Sequence, residues 1–83
     1  MLYVKGYKMR KINAIALDIS KDWKNISYSA KPYLEAMHGL NTIADNYGYD
    51  SGASIVRYFL ANASQWKGEN AKAIKLELKN LVK

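Results

Sequence analysis

The sequence contains no cysteine, so neither disulfide bonds nor thiolate metal sites can stabilise the fold. Long apolar runs are missing as well, because no stretch approaches the roughly 20 apolar residues that a membrane-spanning helix needs. The first residues, MLYVKGYKMRK, lack the apolar core of a secretory signal peptide. These absences predict a cytoplasmic protein with no membrane partner.

Groups that catalyse reactions or bind cofactors are scarce. His38 is the only histidine, and Glu35 precedes it at the Glu-x-x-His spacing of carboxylate-bridged di-iron bundles. Such sites need a second motif of this kind, and the chain has none. A GxSxG nucleophile elbow and a phosphate-binding GxxxxGK loop are also missing. We therefore predict a protein that is not an enzyme and that carries neither a metal nor a cofactor.

Charge is unevenly distributed along the chain, which has a formal net charge of +6. Residues 1–11 carry four bases and no acid, residues 67–83 carry five lysines and two glutamates, and the segment between them is nearly neutral. Two basic ends favour a polyanionic partner. The other interpretation is that the lysines keep a small apolar protein in solution.

Apolar residues recur three and four positions apart through most of the chain, which is the spacing of amphipathic helices. With 83 residues and 49% hydrophobic content, the chain has room for one core only. We predict an all-α fold, a compact bundle of four short helices, with a flexible arm over residues 1–8 and one domain over residues 9–83. The predicted helices run from Met9 to Trp23, from a cap at Ser29 to Tyr47 before Gly48, from a cap at Asp50 or Ser51 towards Gly68, and from about Asn70 to Val82.

The last predicted helix has a row of lysines on one side. At 100° per residue these lysines fall within a sector about 80° wide, away from the apolar side of the helix: Lys72, Lys75, Lys79 and Lys83. Such a row suits a phosphate backbone, and Arg10 and Lys11 would add to it. Contacts of this type position a nucleic acid without reading its sequence.

The stretch IADNYGYDSGASIVRYF, residues 43–59, resembles the helix-turn-helix of AraC-type transcription activators. The matching residues are Ile43 and Ala44, the corner Tyr47, Gly48 and Tyr49, and then Ser51, Ile55, Arg57 and Phe59. The resemblance implies a DNA-reading helix with Arg57, Ser51 and Ser54 as its polar contacts. The alternative is a tight corner between two helices that serves the fold alone.

A second resemblance covers the C-terminal part. The run from Ser54 to Lys79 is similar to small uncharacterised helical proteins carried by phages and other mobile elements of Gram-positive bacteria. It implies an accessory role in the cytoplasm and no particular activity.

Two roles remain open. The first is association with nucleic acid through the basic helix face, and the placement of charge favours it. The second is a protein-interaction module, either a homodimer or an inhibitor or adaptor of a host factor, that uses aromatic residues left over from the core: Tyr28, Tyr33, Tyr49, Tyr58 and Trp66. A tryptophan at the position of Trp66 either closes the core or anchors a partner.

Overall fold

A computed structural model describes residues 10–83 of the chain. The predicted arm, residues 1–8, and the predicted helix start at Met9 lie outside this range. The elements in order are α1 (Ile12–Asp22), α2 (Lys31–Met37), β1 (Asn46–Tyr47), β2 (Asp50–Ser51), α3 (Gly52–Ala61) and α4 (Glu69–Leu81). The prediction of a compact and mostly helical fold is confirmed for this range. The strictly all-α prediction was wrong, because β1 and β2 pair into a small antiparallel sheet.

Helix α1 buries its predicted apolar stripe and begins against a distant loop. Ile12, Ile15 and Ile19 are all buried. The residue before the helix, Lys11, provides no side-chain cap. Instead the first amides of α1 donate to the loop after α2, Ile12 N to Asn41 O and Asn13 N to Leu40 O, each at 2.9 Å. A helix leaves its first amides without internal acceptors, and here tertiary structure supplies them.

Helix α2 is much shorter than predicted. It follows Ala30 rather than a serine cap, tolerates Pro32 in its first turn and ends at Met37, ten residues before the predicted end. The carboxylate of Asp45 accepts bonds from the backbone amides of Asn41 and Thr42, at 2.8 and 3.2 Å. Short polar side chains that bond nearby backbone in this way compete with helix formation, so the chain turns here.

The predicted helix-turn-helix corner is a hairpin followed by one helix. Tyr47 pairs with Asp50 in the antiparallel ladder, and Gly48 between them has a φ of +65°. That is the first central position of a two-residue hairpin loop, where a positive φ favours glycine. Ile43 and Ala44, which should have lain in the first helix of the motif, lie outside every helix of residues 10–83. The glycine was expected to end a helix and instead turns a hairpin.

Helices α3 and α4 form where they were predicted, although α3 is shorter than expected. Ser51 caps α3 by accepting a bond from Ser54 N at 3.1 Å. At Gly52, an added Cβ would lie 2.7 Å from Thr42 O, so only glycine allows this approach of the backbones. Helix α3 ends at Ala61, earlier than expected. Gly68 does not end it but precedes the first residue of α4.

The core centres on an aromatic cluster from three parts of the chain. Trp66 stacks on Trp23 with ring centroids 5.7 Å apart, and its edge meets Phe59 at 6.3 Å. Only 2% of Trp66 is exposed, so it closes the core. The alternative assignment of Trp66 as an anchor for a partner protein is therefore corrected, because its ring has no free face.

We expect replacement of Ser51 by alanine to destabilise the protein by about 1 kcal/mol, the usual value of a helix N-cap. The variant loses the acceptor for Ser54 N. Urea unfolding followed by circular dichroism measures the change. Ser64→Ala, in an exposed turn, is the matched control and should leave the midpoint unchanged. Equal midpoints for the two variants would contradict the capping role.

Candidate nucleic-acid interface

Arg57 of α3 and four lysines on or just after α4 lie on the side of the protein where α4 meets α3, and Lys67 adjoins them, near enough for its charge to act on Lys75. We call this set the basic edge, and it consists of Arg57, Lys67, Lys72, Lys75, Lys79 and Lys83. On α4, Asn70 and Glu77 face α1, where Asn70 bonds Asp22 and Glu77 bonds Arg10. Two residues along a helix turn the direction by about 200°, so Lys79 lies on the side opposite to Glu77. The predicted lysine row thus runs along the α3 side of α4.

Lys75 holds the basic edge to the core. Its Nζ donates to the carbonyl oxygen of Trp66 at 2.6 Å and lies 5.8 Å from the centroid of the Trp66 ring. Burial lowers the pKa of Lys75, and the charges of Lys79 and Lys67 lower it further. Lys67 and Lys79 therefore lie near enough to Lys75 for their charges to act on it. Lys75 therefore stabilises the fold, whereas the charges of Lys67 and Lys79 remain available to bind a ligand.

Arg57 extends the basic edge onto α3. Its side chain is exposed, and its Nη2 donates to Val82 O at 3.0 Å. This bond joins Arg57 to the C-terminal end of α4, directly beside Lys83. A positive charge at a helix C-terminus is favourable because the last carbonyls carry partial negative charge. A guanidinium has five N–H donors, so Arg57 can keep this bond and still contact a phosphate.

Arg10 is exposed, but its guanidinium is occupied by carboxylates of the protein itself. Its Nε and Nη2 donate to the two carboxylate oxygens of Glu77, at 3.0 and 2.8 Å, and its Nη1 donates to Asp18. The bonds to Glu77 and then to Asp18 raise the pKa of the guanidinium above its usual value. Both ion pairs found within residues 10–83 belong to Arg10. Arg10 therefore ties α1 to α4, and the lysines of the basic edge have no carboxylate partner in this range.

Lys11, Ser51 and Ser54 differ in what they offer a ligand. Lys11 is exposed and lines a cavity of about 210 Å³ together with Leu81, which places it near the C-terminal end of α4. Ser51 donates to Ser54 Oγ at 3.1 Å while it caps α3. Both predicted serine contacts are half-buried and belong to the cap, so Arg57 is the strongest polar group of α3 that faces solvent.

The predicted aromatic contacts do not form one patch. Tyr28 is 93% exposed and follows Ser27, whose hydroxyl donates to Asn62 O at the C-terminal end of α3. Tyr49 is fully exposed in the hairpin before the N-terminal end of the same helix. A helix of 10 residues is about 15 Å long, and it separates them. Tyr33 and Tyr58 pair with each other instead, with centroids 5.4 Å apart.

Other chemistry-bearing groups are dispersed over the surface. The hydroxyl of Ser20 lies 3.1 Å from His38 Nε2 in an exposed position. Within residues 10–83, no three His, Asp or Glu side chains are grouped so that they could hold a metal ion. Over the same range, every helix is too short or too polar to cross a membrane.

Comparison with protein families, curated proteins and solved structures finds no match to this chain. The basic edge is the feature in which charge, exposure and a rigid support coincide.

Proposed function

We propose that the protein is a non-enzymatic nucleic-acid-binding protein, whose basic edge contacts the phosphate backbone. One observation carries this proposal: five cations lie along one side of the protein without a carboxylate partner in residues 10–83. They are Arg57, Lys67, Lys72, Lys79 and Lys83. We place this activity in the cytoplasm. We also propose an accessory role there, which is what the resemblance of residues 54–79 to phage and mobile-element proteins implies.

The arrangement of these cations suits a backbone better than a small anion. From Lys72 to Lys83 the charges extend over 11 residues, which is about 16 Å along a helix axis. A compact anion would meet only one or two of them, whereas a strand of phosphates can meet several. Each contact releases a condensed counterion, so affinity follows the salt concentration. Lysines act as point charges, and binding through them is independent of sequence.

The proposal predicts steep salt dependence. If all five cations contact a duplex, log K should fall with log[salt] with a slope of about −4.5, which is roughly a 500-fold loss between 50 and 200 mM salt. Fluorescence anisotropy of a labelled duplex, titrated with protein at several salt concentrations, gives the slope. A duplex of unrelated sequence should bind equally well. Failure to bind at the lowest salt concentration would refute the proposal.

A second candidate is a protein-interaction module, because Tyr28 and Tyr49 are both highly exposed. Their positions at opposite ends of α3 would require two separate contacts, as in a homodimer or a complex with a host factor. Light scattering on the free protein, combined with the duplex titration, distinguishes the two candidates. A stable dimer that does not bind nucleic acid would favour the protein-interaction module.

A further inference from the structure

Helix α3 has two long edges with different side chains. The inference drawn from them rests on the proposed function. Arg57 on α3 bonds Val82 at the end of α4. Its neighbour Tyr58 meets Tyr33 of α2. Consecutive helical residues point about 100° apart, and α3 packs against both helices. One edge of α3 therefore carries positive charge and the other carries an aromatic ring.

The ring of Tyr58 is held in place and partly open. It is 45% exposed, and it lies against Tyr33 with a centroid distance of 5.4 Å and a tilt of 47°. Tyr33 is itself half-buried and packs on the core. A tyrosine supported on one side costs little entropy when a second ring stacks on it, because its orientation is already restricted. Tyr58 is thus prepared to accept a flat ligand.

The surface between the two edges is made of small side chains. Ala61 lies four residues after Arg57 and Ser54 lies one turn before Tyr58, so at 100° per residue both point between these two side chains. Ala61 is exposed, and Ser54 is half-buried. With no long side chain in the way, a ligand can lie across α3 and reach both edges. The distance to be covered is about one helix diameter, roughly 10 Å.

We propose that the nucleic acid bound by this protein is single-stranded, with phosphates on the basic edge and a base stacked on Tyr58. A single strand exposes the faces of its bases, and aromatic side chains beside a cationic groove are the common means of binding it. In a duplex the base faces are covered by neighbouring base pairs, so no base can stack on Tyr58. The protein therefore discriminates single strands from duplexes through Tyr58, while the basic edge serves both.

The test compares an oligothymidine strand with a duplex of equal length, each labelled and titrated by anisotropy at one salt concentration. The wild type should prefer the strand. Tyr58→Ala should weaken strand binding roughly 5- to 150-fold, the range observed for loss of one stacked base, and leave duplex binding unchanged. Its salt slope should also stay the same, because no cation is removed.

Two further variants make the result decisive. Tyr58→Phe keeps the ring and should bind the strand like the wild type, and it serves as the folded reference if the alanine variant is destabilised. Tyr28→Ala removes an equally large exposed ring away from the basic edge and should change nothing. Equal affinity for strand and duplex, or a loss in the phenylalanine variant, would overturn this inference while leaving nucleic-acid binding intact. If neither ligand binds, the proposed function itself fails.

Discussion

Replacing Trp66 by alanine is expected to destabilise the protein by about 3–5 kcal/mol, the range for a large buried aromatic residue. The indole stacks on Trp23, meets Phe59 edge-on and donates from Nε1 to Asp22 Oδ2 at 2.8 Å. A chain of 83 residues has a total free energy of unfolding of about 4–12 kcal/mol. The variant should therefore be unfolded or close to it at room temperature, and urea unfolding monitored by far-UV circular dichroism measures this.

Two other variants separate the contributions of Trp66. Trp66→Phe keeps an aromatic ring but loses the donor to Asp22, so a smaller loss of about 1 kcal/mol is expected. The bonds from Asn70 and then Trp66 hold the pKa of Asp22 below its usual range, and this variant should let it rise. Tyr28→Ala, at a highly exposed ring, should stay within about 0.5 kcal/mol of the wild type. If Trp66→Ala were as mild as Tyr28→Ala, the closure of the core by Trp66 would be refuted.

Most of the fold could be predicted from the spacing of apolar residues. The exception is the second predicted helix, which ends at Met37. The stripes of α1, α3 and α4 are continuous, and packing on one core is enough to make them helices. The helix predicted from Ser29 to Tyr47 includes Leu40, and Leu40 is indeed buried. It is buried from a loop, however: α2 ends at Met37, and Asp45 then bonds the backbone at Asn41 and Thr42. Apolar periodicity predicts which residues are buried, but it does not predict where the helix ends.

The candidate site, like the fold, could be predicted from the sequence only in part. Helical geometry alone places Lys72, Lys79 and Lys83 on one side of α4, and the structure brings Arg57 to the same side. The roles of Arg10 and Lys75 depend on partners that are remote in sequence: Arg10 and Glu77 are 67 positions apart. No local sequence pattern predicts a pair of residues so far apart in the chain. Lys67 was not assigned to the site because it precedes α4, although its place beside Trp66 and before Gly68 was a usable signal.

Reversing three charges of the basic edge should reduce duplex and single-strand binding by on the order of 100-fold or more, because each lost phosphate contact lowers the salt slope by about one. The variant Lys72→Glu/Lys79→Glu/Lys83→Glu changes only exposed side chains. It spares Lys75, which bonds Trp66 O, so the core should remain intact. Circular dichroism and the urea midpoint check the fold, and anisotropy measures the binding.

The matched control carries the same change of charge at lysines outside the basic edge. Lys21→Glu/Lys31→Glu alters exposed lysines of α1 and α2, and it is compared with Lys72→Glu/Lys79→Glu, because each pair lowers the formal net charge from +6 to +2. Lys24 is left unchanged because it lines a cavity together with Lys67 of the basic edge. At 0.1 M salt, charges more than about 10 Å away are largely screened. The control should therefore lose less than about tenfold in affinity through its weaker long-range field. Equal losses in the two variants would mean that total charge, and not the basic edge, governs binding. A difference of tenfold or more between the variants would locate the phosphates on α4.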